Sequence, residues 1–302
     1  MTSLTSHHNP DPAATPTQPG RHPGWLSVSA AFTAAVPPMA ERDDLTVIVE
    51  PGAAAGSPAC YLPHQATIEI DGALLGTPTP PAVDPHDPGT RDTYPVAFGA
   101  LVHEAAHARH TRWDLTAGEP AANAAAVLLE ESRIEAAHLR RRPGDRRWLR
   151  AAIGKILLDD IPDTDDAWTA ATAAALICAR VDAGVLHAAE ARPARTAARR
   201  ILHTPTLTQL RRIWRQAHRT ADHDTDAMLD LGRHWCHALG LDPTATPRPG
   251  DGPQQPGTPA PTSGRGGGKI RRAATRTVAA VTANDTDDTA DRARDAAAGR
   301  AA

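Results

Sequence analysis

Two short apolar patterns precede a long series of helical ones. Leu45-Thr46-Val47-Ile48-Val49 is β-branched and closes at Pro51-Gly52, and Ala66–Asp71 alternates apolar and polar residues before Gly72, so both predict strands. Gly76 to Thr93 is rich in Pro, Asp and Gly and predicts a loop. Helical spacing then takes over. It predicts a helix over Tyr94–Trp113, entered through Pro95, and a second over Pro120–Arg141 that stops at Pro143-Gly144. Further helices are predicted over Arg146–Leu158, Asp165–Ala183, Val185–Leu202, Thr206–Ala221 and Asp224–Leu239. The predicted fold is therefore α+β and mainly α, with a small sheet and a helical C-terminal half.

The ends of the chain read differently. Residues 1–24 are polar with Pro, Thr and His and predict a disordered leader. Residues 244–268 are rich in Pro, Gly, Ser and Thr and predict a flexible linker. Residues 269–302 have mainly alanine as apolar content, which predicts a polar tail, helical at most, unable to build a core. One folded domain over 25–243 is left.

Composition narrows the classes. A net charge of −3 over 302 residues implies no general attraction to nucleic acid or an anionic membrane. Aromatics make up only 3% of the chain, so the core must be packed from Ala, Leu, Val and Ile. Cys60, Cys178 and Cys236 are too widely spaced for a Cys-x-x-Cys site and read as small apolar residues. No apolar run is long enough to span a bilayer and no signal peptide is evident, so the expected location is cytoplasmic.

The chemistry centres on His103-Glu104-Ala105-Ala106-His107 within the first long helix. Residues four apart share a helix face, so His103 and His107 can aim ring nitrogens at one zinc ion. Glu104 lies about 100° round from His103, beside such a metal, where a general base belongs. Zinc lowers the pKa of its bound water towards about 7, and the carboxylate takes the proton as hydroxide attacks a peptide carbonyl. Glutamate is otherwise scarce: there are nine against 26 aspartates, and five of the nine fall between Glu104 and Glu135.

A catalytic zinc needs a third protein ligand. His110 is only three residues beyond His107 and lacks the glycine turn that a third histidine would need. The next helix offers Glu130, Glu131 and Glu135 in an apolar setting, where carboxylates are costly to bury without a cation. Glu131 is the favoured ligand and Glu130 the alternative. Glu135, four residues on from Glu131, can accept the N–H of a ligating histidine. Arg133, His138 and Tyr94 are candidates to stabilise the oxyanion or hold substrate.

In these residues the chain resembles the gluzincin side of the zincin peptidases, in which a His-Glu-x-x-His helix is followed by a second helix bearing a glutamate ligand. Glu130-Glu131-Ser132-Arg133-Ile134-Glu135 is similar to a Glu-Asp-x-Arg-Ile-Glu signature of bacterial and phage metallopeptidases associated with von Willebrand factor A domains, with Glu for Asp at the second position. The cobaltochelatase T-subunit is similar across the same segment and the basic stretch after it, here Arg140-Arg141-Arg142. The resemblance covers about residues 45–160. It implies a zincin-like domain, a Zn2+ cofactor and hydrolysis of a peptide or protein substrate. It also implies an alternative, a non-catalytic interaction module working with a von Willebrand A or AAA+ partner. No Asp-x-Ser-x-Ser motif of a von Willebrand A domain follows the linker.

Other features carry less. Arg133, Arg140, Arg141, Arg142, Arg146, Arg147 and Arg150 read as a solvated basic face on an arginine-rich chain. His7-His8, Asp222-His223-Asp224 and the His234/His237 pair read as loop or surface chemistry, not further metal sites.

Overall fold

Helix-forming sequence dominates the chain, and the computed structural model, which describes residues 23–115, 117–158, 161 and 166–246, is mainly helical with one small sheet. Helices α1 (Pro23–Ala35) and α2 (Pro37–Ala40) lead into strands β1 (Thr46–Glu50), β2 (Ala59–Leu62) and β3 (Thr67–Asp71). Helices α3 (Pro88–Thr93), α4 (Pro95–His110), α5 (Pro120–Arg141) and α6 (Arg146–Ile156) follow. Helices α7 (Ala167–Asp182), α8 (Arg192–Ala217) and α9 (Thr225–Ala238) complete the described fold.

The sheet order is β1-β3-β2, with β1 parallel and β2 antiparallel to β3; Val47 pairs with Ile68 and Cys60 with Glu69. The outer edge of β1 is covered by α1. Ser29 and Thr33 share a helix face, and their hydroxyls accept the Val49 and Val47 backbone N–H groups at 2.9 Å. The backbone groups of an edge strand, normally left for water or another chain, are thus satisfied within the fold. Helix α4 packs against β2 and β3, and Phe32 stacks on Phe98 with centroids 4.7 Å apart, tying α1 to α4.

Two glycines set helix spacing around α4 and α5. A Cβ on Gly99 would lie 2.0 Å from the Trp148 carbonyl oxygen, so α4 and α6 touch backbone to side-chain-free backbone. A Cβ on Gly232 would lie 2.1 Å from the Ala122 carbonyl oxygen, which brings α9 equally close to α5. Helix α5 has no side-chain cap; instead the Pro243 carbonyl accepts the Ala121 and Ala122 N–H groups at 3.1 and 3.2 Å. One apolar cluster runs from Trp25 to Leu239, built largely of alanine and leucine; against the expectation of a purely aliphatic core, all six tryptophans and both phenylalanines of the chain lie in it.

Several boundaries differ from the pattern reading. Pro23 and Gly24 belong to α1, because proline suits a first helical turn; the pattern assigned them to the leader and assigned no element to the rest of α1. Strand β2 is four residues long and escaped the alternation test. The expected loop 76–93 ends in α3, whose N-terminus is capped by Asp87 accepting the Gly89 N–H at 2.9 Å. The helix expected from Val185 starts at Arg192, since Gly184 (φ 85°) ends α7 and the Val185 and Leu186 N–H groups bond back to Arg180 O. The two helices expected over 185–202 and 206–221 meet at His203, whose φ of 57° and ψ of 166° break α8. The leader up to residue 22, with His7-His8, the linker from residue 247 and the tail lie outside the described residues. No helix among the described residues is long and apolar enough to cross a membrane.

Candidate metal centre

His103 and His107 lie one turn apart on α4, and Glu131 faces them from α5. Glu131 Oε2 is 3.4 Å from His103 Nε2, and Glu131 Oε1 is 3.5 Å from His107 Nε2. Ligands about 2.0–2.1 Å from a tetrahedral ion are about 3.3 Å from one another, so these separations suit a shared zinc ion. The three side chains are 16%, 18% and 29% exposed, which leaves the centre open on one side. Among the described residues this is the one trio of histidine, cysteine and acidic side chains whose ligand atoms lie within 4.8 Å of one another.

The outer partners decide which ring nitrogens are free. His103 Nδ1–H donates to Glu135 Oε1 at 2.9 Å. Thr111 Oγ1–H donates to Glu130 Oε1 at 2.7 Å, so its oxygen is left to accept from His107 Nδ1–H at 3.0 Å. Both histidines are thereby held with the Nε2 lone pair turned toward Glu131. Three acceptors thus lie together, an arrangement able to hold a metal ion. Burial opposes charge on His103, but Glu131 and Glu135 outweigh it and raise its pKa to about 10. Burial likewise opposes ionisation of Glu131, yet the two histidines hold its carboxyl well below the usual range.

Each supporting carboxylate has its own buried arginine. Glu135, fully buried, is clasped by Arg180 of α7 through Nε at 2.9 and 3.0 Å and Nη2 at 2.8 Å. Arg180 Nη2 also lies 3.6 Å from Glu131 Oε2. Glu130 is held by Arg133 through Nε at 2.5 Å and Nη2 at 2.8 Å. Arg133 further binds His110 O at 2.6 Å and Asp222 Oδ1 at 2.9 Å, and Asp222 Oδ2 accepts from His110 Nδ1 at 2.9 Å. Each half thus runs from a histidine to a buried carboxylate and a buried guanidinium, directly at His103 and through the Thr111 hydroxyl at His107.

Glu104 is 7% exposed and adjoins the histidines. Burial raises its pKa, an effect opposed by His103, His107 and the Tyr61 backbone N–H of β2, which bonds to it.

Glu130, the alternative ligand, does not meet the histidine Nε2 atoms, because both its oxygens are taken by Thr111 and Arg133. Arg133 does not face the open side: it is fully buried and spent on Glu130, Asp222 and backbone carbonyls, and so is no part of a solvated face. His138 is also fully buried, with Nε2 bonded to Asp145 Oδ2 at 2.8 Å. Tyr94 caps the start of α4, nine residues and about 13 Å of helix from His103. Of the remaining cluster, Arg141, Arg142 and Arg150 are half-buried and paired with Glu41, Asp145 and Glu190. Asp224 caps α9, while His223, His234 and His237 are at the surface. Thr111 and Arg180 had no place in the sequence reading. The first carries a periodic signal, four residues beyond His107. The second is a lone charge closing the apolar run Ala173–Ala179.

No protein-family model, curated protein or solved structure matches the chain.

Proposed function

We propose that the chain is a zinc-dependent peptidase of the zincin kind, with His103, His107 and Glu131 as metal ligands and Glu104 as general base. The observation that supports this is the donor set: two histidine nitrogens and a carboxylate lie within 4.8 Å of one another, with each Nε2 3.4–3.5 Å from a Glu131 oxygen and the rings held from outside by Glu135 and by Thr111. When bound, zinc supplies Lewis acidity, polarising a peptide carbonyl and acidifying a water. Glu104 takes the proton of the attacking water and returns it to the leaving amine. Its burial raises its proton affinity, and the Tyr61 N–H holds the carboxylate in place. Arg180 keeps Glu135 ionised, and Glu135 keeps the His103 ring turned for ligation.

The test sets metal content beside hydrolysis. Wild type and Glu104→Gln should each carry one zinc, because the amide leaves the ligands intact. Only wild type should cleave a peptide library. His107→Ala should lose the metal. Zinc-free protein after zinc-supplemented expression would end the reading. Zinc-loaded protein with equal, null cleavage by wild type and Glu104→Gln would turn it toward the non-catalytic module that works with a von Willebrand A or AAA+ partner.

A further inference from the structure

A cavity of about 110 Å3 lies between α7 and α8 and shares no residue with the metal centre. By a measure in which one water needs about 10–15 Å3, it has room for a ligand of several heavy atoms. Val181, Leu207 and Trp214 give it an apolar floor. Three arginines line it, Arg195, Arg199 and Arg211, against one acidic residue, Asp182. Asp182 is already committed: it accepts from Arg211 Nε and Nη2 at 2.8 and 2.7 Å and from Trp214 Nε1 at 2.8 Å.

Arg195 and Arg199 are four residues apart on one face of α8, a spacing at which like charges repel. Neither guanidinium has an acidic or hydrogen-bonding partner among the described residues. With Arg211 they line the same cavity. Burial pushes the Cys178 thiol at the cavity wall up to about 11, while Arg195, Arg199 and Arg211 all pull it back down. Thr204 and Thr208, just beyond the break of α8 at His203, also line the cavity.

We infer that this cavity binds a small phosphate monoester, its phosphate held by Arg195 and Arg199 and its apolar body resting on Leu207 and Trp214. The lining has a net two positive charges, which matches a phosphate dianion better than a single carboxylate. The planar forks of arginine suit phosphate oxygens, two N–H groups to each pair. The apolar floor adds affinity that inorganic phosphate cannot use.

The test is calorimetric titration of the full chain, before zinc is added, with phenyl phosphate, inorganic phosphate and benzoate. Phenyl phosphate should bind one site saturably and more tightly than inorganic phosphate or benzoate. Arg195→Gln/Arg199→Gln should weaken it about tenfold or more, with an unchanged circular dichroism spectrum. Arg212→Gln, an exposed arginine of the same helix outside the lining, should leave it unaltered. Absence of saturable binding in the millimolar range, equal binding of benzoate, or equal loss in Arg212→Gln would overturn the assignment.

Discussion

Arg180 meets Glu135 edge to edge, with Nε 2.9 and 3.0 Å from the two carboxylate oxygens and Nη2 2.8 Å from one of them, and both side chains are buried. Breaking such a pair from one side leaves an uncompensated charge in the interior, a loss of about 3–5 kcal/mol. Arg180→Met should therefore lower the unfolding free energy by about that amount in urea titrations. Arg180→Met/Glu135→Leu should recover much of it and still bind zinc less well, because His103 then lacks its acceptor. A single-variant loss below about 1 kcal/mol would mean that water reaches Glu135 and replaces the guanidinium.

Thr111 offers a cleaner cut. Thr111→Val keeps the shape and removes the hydroxyl between His107 and Glu130. Zinc affinity, measured by competition with a chromogenic chelator, should fall about tenfold to a hundredfold. Thr111→Ser should keep most of it. Equal affinities for Val and Ser would show that His107 needs no outer partner.

Helix packing gives opposite signs at two glycines. Gly99→Ala drives a methyl into the Trp148 carbonyl, with Ala152 Cβ only 2.7 Å away, and should cost about 1–3 kcal/mol or more. The strain falls one turn before His103, so zinc stoichiometry should fall too. Gly154, inside α6, has nothing within 4 Å of its would-be Cβ, so Gly154→Ala should stabilise by about 0.5–1 kcal/mol. Thermal unfolding of both variants checks the pair.

His218 carries an acid-dependent term. Burial, reinforced by Arg140 and Arg215 and opposed by Asp182 and Glu135, lowers its pKa from 6.5 to about 4. Its Nε2–H donates to Ser132 Oγ at 3.0 Å. Between these values the unfolded chain binds the extra proton and the folded chain does not. The contribution is thus whole above pH 6.5 and is lost as pH falls towards 4, by about 3 kcal/mol in all. His218→Gln retains a donor without titrating. The stability difference between it and wild type should shift by about that amount between pH 7 and 4, and a pH-independent difference would refute the assignment.

Helical period alone brings His103 to His107 and Glu131 to Glu135, because a four-residue spacing is a statement about one face of one helix. It cannot say which of Glu130 and Glu131 faces the histidines, since adjacent residues differ by about 100° and the answer depends on how α5 lies against α4. That crossing is governed by contacts far apart in sequence, such as Gly232 against Ala122 and the Pro243 carbonyl at the start of α5. Arg180 comes to Glu135 from 45 residues away, in a chain where arginine supplies nearly all positive charge, so composition hides it. Strand β2 is too short for its alternation to stand out, and with it the Tyr61 N–H that reaches Glu104 escaped notice.

The hydroxyls of Ser29 and Thr33 on the edge of β1 bear on how the chain can be shortened. They close the side of the sheet to which another copy could add a strand. A version beginning after Ala35 would keep every residue of the metal centre and expose the Val47 and Val49 backbone as a sticky ribbon. Such a truncation would also strip Phe32 from Phe98 of α4, and it would fail by clumping into insoluble material.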